Sequence, residues 1–288
     1  MMWFGSALTA VPAPLGRAHI GILASIPSPS VNGFWAGPLY IHFYGLMYVI
    51  GISVAIVIAR RRWQATGGPS TLVDELVPWV LVTGIIGARI YFDLTTPKKI
   101  PPHWWGRFAV WDGGLGIWGG VALAAVVGIW RLHRRGARIG AFMDAVAPAL
   151  LVAQAIGRVG NYFNQELFGG PTSLPWGLQI DPRFKPPGYT QYATFHPTFL
   201  YELLFDLAWA GILVWLGRRL VRPPGLFALY VTGYSAFRIF EESLRIDYSQ
   251  HYLGLRLNFF VAGGMTLVGL GWFTYTQLHH RHDRTQLL

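Results

Sequence analysis

YIHFYGLMYVIGISVAIVIA, residues 40–59, is a run of twenty residues with no Asp, Glu, Lys or Arg. At about 1.5 Å of helical rise per residue it matches the roughly 30 Å hydrocarbon core of a bilayer. Comparable windows follow at 76–92 (LVPWVLVTGIIGARIYF), 114–130 (GLGIWGGVALAAVVGIW), 142–160 (FMDAVAPALLVAQAIGRVG), 198–217 (TFLYELLFDLAWAGILVWLG), 225–240 (GLFALYVTGYSAFRIF) and 257–275 (LNFFVAGGMTLVGLGWFTY). These windows predict an all-α, polytopic integral membrane protein with seven transmembrane helices. The whole chain fits that class: 288 residues, 53% hydrophobic and 12% charged, with a mean hydropathy of +0.38. A soluble domain carries about a quarter of its residues as Asp, Glu, Lys and Arg. The apolar content excludes a disordered chain. The absence of Cys excludes disulfides, thiolate metal sites and a thiol nucleophile carried by the protein itself.

A net charge of +10 would suggest a nucleic-acid partner in a soluble protein, but its distribution reads as topology and no nucleic acid is expected. Arg60, Arg61, Arg62, Arg131, Arg134, Arg135, Arg138, Arg218, Arg219, Arg222, Arg281 and Arg284 crowd the short segments after the first, third, fifth and seventh windows. Arg17, Lys98, Lys99, Arg107, Arg183, Lys185, Arg245 and Arg256 are spread over longer segments on the other side. Basic residues concentrate in cytoplasmic loops. The N-terminus is therefore expected outside, the C-terminus in the cytoplasm, and residues 163–197 in an ordered extracytoplasmic cap. The organisation expected is an extracytoplasmic or interfacial arm over 1–38, a seven-helix catalytic unit over 39–278 that includes the cap, and a cytoplasmic tail over 279–288. The arm lacks a basic stretch followed by an apolar one, so it is not read as a cleaved signal peptide. The HHRH run at 279–282 is read as solvated tail rather than a metal site.

Three arginines fall inside the windows: Arg89, Arg158 and Arg238. Each would cost about 3 kcal/mol at mid-membrane, so each needs a partner. Arg89 has Asp93 one turn later, which suits an internal ion pair as well as a functional one. Arg158 lies in GRVGNYFNQELFGG (157–170), with Asn161, Asn164 and Glu166 close behind. Arg238 lies in GYSAFRIFEESLR (233–245), where Tyr234, Arg238, Glu242 and Arg245 recur at helical spacing on one face. Neither Arg158 nor Arg238 has an acid one turn earlier, and both sit near the outer ends of their spans. Two planar guanidiniums converging on one tetrahedral oxyanion would recognise a phosphate. The plainer alternatives are a snorkelling arginine beside helix caps and a self-neutralising stripe that packs helices. His42, Tyr44, His196, Tyr201 and Glu202 fall at the same depth. HExxH, GxSxG and GxxxxGK[ST] are all absent. A transporter or channel for an anionic solute is the competing class, although no internal repeat supports it.

These stretches resemble the prolipoprotein diacylglyceryl transferases, bacterial membrane enzymes. The resemblance runs from about Pro38 to the last window and rests on IHFYGLMYVIG (41–51), GARIYF (87–92), VWDGGLGIWGG (110–120), GRVGNYFNQELFG (157–169), HPTFLYE (196–202) and GYSAFRIFEESLR (233–245). It implies a multi-pass protein of the bacterial cytoplasmic membrane. The implied reaction moves the sn-1,2-diacylglyceryl group of phosphatidylglycerol to the lipobox cysteine thiol of a preprolipoprotein signal peptide, forming a thioether and releasing glycerol 1-phosphate. Membrane lipids are the other partners, and no metal or organic cofactor is implied. Family-important positions correspond to Tyr44, Arg158, Asn161, Glu166, Gly169, Tyr234, Arg238, Glu242 and Arg245. The expected catalytic set is Arg158, Arg238, His42, His196 and Tyr234, with Tyr44, Asn161, Glu166, Gly169, Glu202, Glu242 and Arg245 binding substrate. Trp118 stands where many family members have a histidine considered as the base. Trp cannot accept a proton, so His42 and His196, then Tyr234, become the substitutes.

Overall fold

Phe43 opens the first helix where a hairpin ends. Gly33–Ala36 (β1) pairs antiparallel with Leu39–His42 (β2), Gly33 opposite His42 and Ala36 opposite Leu39. The Phe43 amide donates to the Asn32 carbonyl at 2.8 Å. That bond satisfies one of the orphan N–H groups at a helix start without a side-chain cap. The helix α1 then runs Phe43–Ala65. The computed structural model describes residues 25–285 apart from 219, 220, 248 and 250. The expectations for residues 1–24 and 286–288, and for the side chains of the HHRH run, lie outside the described residues.

Six more long helices follow among the described residues: α2 (Thr71–Thr95), α3 (Ile117–Arg134), α4 (Ile139–Asn164), α5 (Thr198–Gly217), α6 (Gly225–Leu244) and α7 (Leu257–Thr285). The chain is mostly helical, as expected, with three two-stranded sheets among the described residues, and each apolar window lies largely within one helix. Five helices are long and apolar enough to cross a membrane: α1, α2, α4, α5 and the Leu257–Leu278 part of α7. The other two are more polar. α3 ends in Arg131, Leu132, His133 and Arg134, and α6 carries Arg238, Glu241 and Glu242. Many helix side chains facing outward are apolar, among them Val49, Val82, Val126, Leu204 and Leu267. An apolar exterior on this scale is what a lipid solvent requires.

α4 lies between α1 and α5, α6 joins α5 to α7, and α2 packs chiefly on α3. The α2–α3 contact is made by glycine. A Cβ at Gly87 would lie 2.3 Å from the Gly119 carbonyl oxygen, and one at Gly119 the same distance from that of Gly87. Small residues of this kind let helix backbones touch where no hydrophobic effect drives them together. The segment between α4 and α5 is ordered by two short strands, Leu178–Gln179 (β3) and Thr194–Phe195 (β4), and by a core of Phe168, Leu178, Ile180 and Phe195. Residues before α1 belong to it, because Ile26 bridges to Leu178 and the Tyr162 hydroxyl donates to the Pro27 carbonyl at 2.9 Å. The boundary expected at 38/39 falls in the turn of the β1–β2 hairpin, and α7 continues unbroken past 278/279. A last hairpin, His251–Tyr252 (β5) with Leu255–Arg256 (β6), links α6 to α7.

Candidate functional site

The C-terminal ends of α4 and α6 and the N-terminal end of α5 meet beside the segment that joins α4 to α5. α5 starts just after His196 and Pro197, which puts Glu202 in its second turn, fully buried. The carboxylate of Glu202 gathers three side chains from two other helices. Arg158 on α4 donates from Nη2 to Oε1 at 2.5 Å, and Tyr234 on α6 donates its hydroxyl to the same oxygen at 3.0 Å. Arg238 on α6 donates from Nη1 to Oε2 at 3.2 Å. The two arginines therefore converge, as their sequence context predicts, and the anion they share here is Glu202. The Arg158 and Arg238 side chains keep 17% and 19% of their exposure against 0% for Glu202. The two cationic side chains are thus less completely buried than the carboxylate they share.

A second layer holds this centre. Arg238 also donates to Glu241, and to Glu242 Oε2 at 3.4 Å. Glu242 Oε1 accepts from Arg256 Nε at 2.5 Å and from Asn258 Nδ2 at 3.0 Å. On the α4 side, Arg158 Nη1 donates to Asn161 Oδ1 at 3.2 Å. Asn161 Nδ2 passes the chain on to Glu166 Oε1 at 2.8 Å, where Asn164 Nδ2 joins at 3.3 Å. Glu166 can turn back toward α4 because Gln165 adopts the left-handed conformation, φ 52°, as the C-cap. Buried guanidinium–carboxylate pairs stand only when further hydrogen bonds fill their remaining sites, and this network supplies them.

Tyr44 packs on Gly160, where a Cβ would come within 2.7 Å of its ring, and its hydroxyl lies 3.0 Å from that of Tyr48. Gly169 works through its backbone. Its N–H donates to the His196 carbonyl at 2.9 Å, and the next N–H, of Gly170, donates to the Leu244 carbonyl at 2.7 Å. A Cβ at Gly169 would lie 2.8 Å from that of His196. The expected stripe of Tyr234, Arg238, Glu242 and Arg245 is corrected at its last member. α6 ends at Leu244, so Arg245 is an extended C-cap residue, and it binds Asp247 at 2.7 and 2.9 Å. Asp247 is pushed up by burial, but these bonds from Arg245 outweigh that and hold its carboxyl below the ordinary range.

Neither candidate imidazole joins the network by a hydrogen bond among the described residues. His42 is exposed at the start of α1, its ring edge-on to Tyr40. His196 is half-buried, with Nδ1 3.2 Å from the Tyr201 hydroxyl, and burial lowers its pKa. Trp118 is exposed on the first turn of α3. Arg89 takes the structural role. Besides Asp93 at 3.3 Å, it donates to the carbonyls of Gly106, Arg107, Ala109, Gly113 and Gly114. The sequence reading missed Glu241, Arg256 and Asn258, as well as Asp206, which is fully buried with both carboxyl oxygens unpartnered. Only Asp206 left a signal, as a second acid one turn after Glu202 in an otherwise apolar helix.

Apolar helices carrying a guanidinium pair bound to one buried carboxylate define a multi-pass membrane protein with a centre suited to an anionic group. The chain belongs to the prolipoprotein diacylglyceryl transferase family, whose profile matches residues 32–275. It is similar to the phosphatidylglycerol–prolipoprotein diacylglyceryl transferase of Cutibacterium acnes, with 50% identity over 81% of this chain and 80% of the relative. The enzyme of the same name from Bifidobacterium adolescentis is 40% identical over 92% and 83% of the two chains. A Streptomyces coelicolor enzyme, the second of that name in its organism, is 43% identical over 82% and 76%.

Proposed function

We propose that this chain transfers the sn-1,2-diacylglyceryl group of phosphatidylglycerol to the lipobox cysteine of a preprolipoprotein, forming a thioether and releasing glycerol 1-phosphate. The observation that carries this reading is the meeting of Arg158 and Arg238 on one buried carboxylate, with both cationic side chains only partly buried. In the proposed reaction the thiol, of pKa about 8.5, gives up its proton and its sulfur attacks the glyceryl carbon. The C–O bond breaks and its electron pair stays on the phosphate oxygen, where the two guanidiniums stabilise the growing charge. Glu202 and Tyr234 hold the guanidiniums, and Asn161 and Glu166 set the α4 side.

Of the candidate bases, His196 is favoured over His42. Burial biases it toward the neutral form, and a neutral imidazole can take the thiol proton. The seven-span arrangement, the outside N-terminus, the extracytoplasmic cap and the cytoplasmic C-terminus belong to the same proposal, because a lipobox cysteine has to meet its lipid donor at the outer leaflet. Family membership favours this reading over a transporter or channel. Purified protein incubated with labelled phosphatidylglycerol and a lipobox peptide is the test. A thioether product is expected from the parent chain, and a loss of about a hundredfold or more from Arg158→Ala or Arg238→Ala. Parent-like transfer by either variant would overturn the assignment.

A further inference from the structure

Beyond the arginine centre, a cavity of about 460 Å³ opens where the turn after α4, the residue before β1 and the segment after α6 come together. Its lining includes Asn32, Asn164, Glu166, Phe184 and Asp247, and none of these is hydrogen-bonded to Arg238 or Glu202 among the described residues. It is joined to the centre by two routes, Arg158 to Asn161 to Glu166 on the α4 side and Arg238 to Glu242 to Arg256 to Asp247 on the α6 side. Asn164 lies six residues beyond Arg158 along α4, about 9 Å farther toward the cap. A diester whose phosphate sits on Arg158 and Arg238 would direct its headgroup, not its acyl chains, toward this space.

The chemistry of the lining selects among headgroups. Glu166 and Asp247 are carboxylates, which disfavour a second anion. Both are already engaged by amide or guanidinium donors, so a lone ammonium is not required to balance them. Asn32 is anchored through its two oxygens: its side-chain oxygen accepts from the Tyr40 hydroxyl at 2.7 Å and its carbonyl from the Phe43 amide. Among the described residues its side-chain N–H groups meet no acceptor and are left to donate. Asn164 donates to Glu166, and its own side-chain oxygen is left to accept. A wall that presents both donors and acceptors suits hydroxyl groups, which can do both. The volume also leaves room for water beside a three-carbon unit, at about 30 Å³ per water.

Resting on the transfer reading above, we propose that this cavity is the subsite for the terminal diol of the phosphatidylglycerol headgroup, with Asn32 and Asn164 as specificity-determining residues. After C–O cleavage the same cavity holds the polar half of the departing glycerol phosphate, on the side facing away from the apolar helices.

The test compares kcat/KM for phosphatidylglycerol with that for phosphatidylpropanol, which keeps the phosphodiester and lacks both hydroxyls. The measurement uses the full-length protein and a lipobox peptide. The parent chain is expected to prefer phosphatidylglycerol. Asn32→Ala and Asn164→Ala, on separate walls, should each reduce that preference about two- to tenfold, mainly through KM, as the loss of one neutral hydrogen bond dictates. The preference is a ratio within one preparation, so any loss of folded protein cancels. An unchanged ratio in both variants, or equal use of the two lipids by the parent chain, would overturn the subsite while leaving transfer intact. If the parent chain forms no thioether from phosphatidylglycerol, the transfer reading itself fails.

Discussion

Glu202 and Asp206 lie one turn apart on α5 and are both fully buried, yet their surroundings are opposite. Glu202 is bound by two guanidiniums and a phenol, whereas both Asp206 oxygens lack a hydrogen-bond partner among the described residues. Removing one member of a buried pair leaves an uncompensated charge, at a cost of about 3–5 kcal/mol. Glu202→Gln is therefore expected to lower the thermal midpoint and to reduce transfer about a hundredfold, whereas Asp206→Asn should leave the midpoint unchanged or raise it. Thermal unfolding in detergent, run beside the transfer assay, separates the two.

His196 gives the pH dependence. Burial lowers its pKa, so the neutral base prevails above that value and is lost as pH falls through it. kcat/KM should fall on an acid limb lying below the ordinary imidazole value of about 6.5. That limb should vanish in His196→Asn. If it is unchanged there, His196 is not the base. At this scale the two arginines were legible because a cation inside an apolar window demands an explanation. Glu241, one turn after Arg238 on the same helix, was not singled out beside Glu242, and Arg256 was not legible because its bond to Glu242 depends on how the chain returns after α6.

The loop between α2 and α3 is held by an element-level device. A single guanidinium, Arg89, reaches five carbonyls between Gly106 and Gly114 as well as Asp93. With charge-assisted bonds each contributing about 1.5–3 kcal/mol, Arg89→Ala should free this loop. Hydrogen exchange over residues 104–116 is expected to rise at least tenfold while the helix ends around Glu202 stay protected. An equal rise in both regions would mean that Arg89 supports the whole bundle. The helices themselves could be read from hydropathy because each buries or exposes a long apolar run. The β1–β2 hairpin could not be. Residues 40–42 carry no formal charge and run straight into the apolar helix that follows, and only their pairing with residues 33–35 marks them as strand. The two-residue strands between α4 and α5 are too short to leave any periodicity.

At the scale of the whole molecule, the uneven distribution of basic residues gives the proposed orientation, and the absence of Cys makes it directly testable. Lys99→Cys should react with a membrane-impermeant maleimide in intact cells. Arg61→Cys should react only after the membrane is opened. The reverse pattern would invert the topology and place the arginine centre at the inner leaflet, away from the proposed substrates. Family membership and the general helical character follow from patterns that persist along the sequence. The network around Glu202 comes from tertiary packing, which unites residues from α4, α5, α6 and α7.

Gly169 and Gly170 form a strap across the open ends of two helices, bonded on one side to the residue two before α5 and on the other to the last residue of α6. With no side chain at 169 the strap lies flat against His196 and Thr198. The distance between the helix carrying Glu202 and the helix carrying Arg238 is thus gauged by main-chain atoms, which tolerate little stretch. Even one added methyl would act as a wedge at the rim, spreading the charged groups apart without altering any of them.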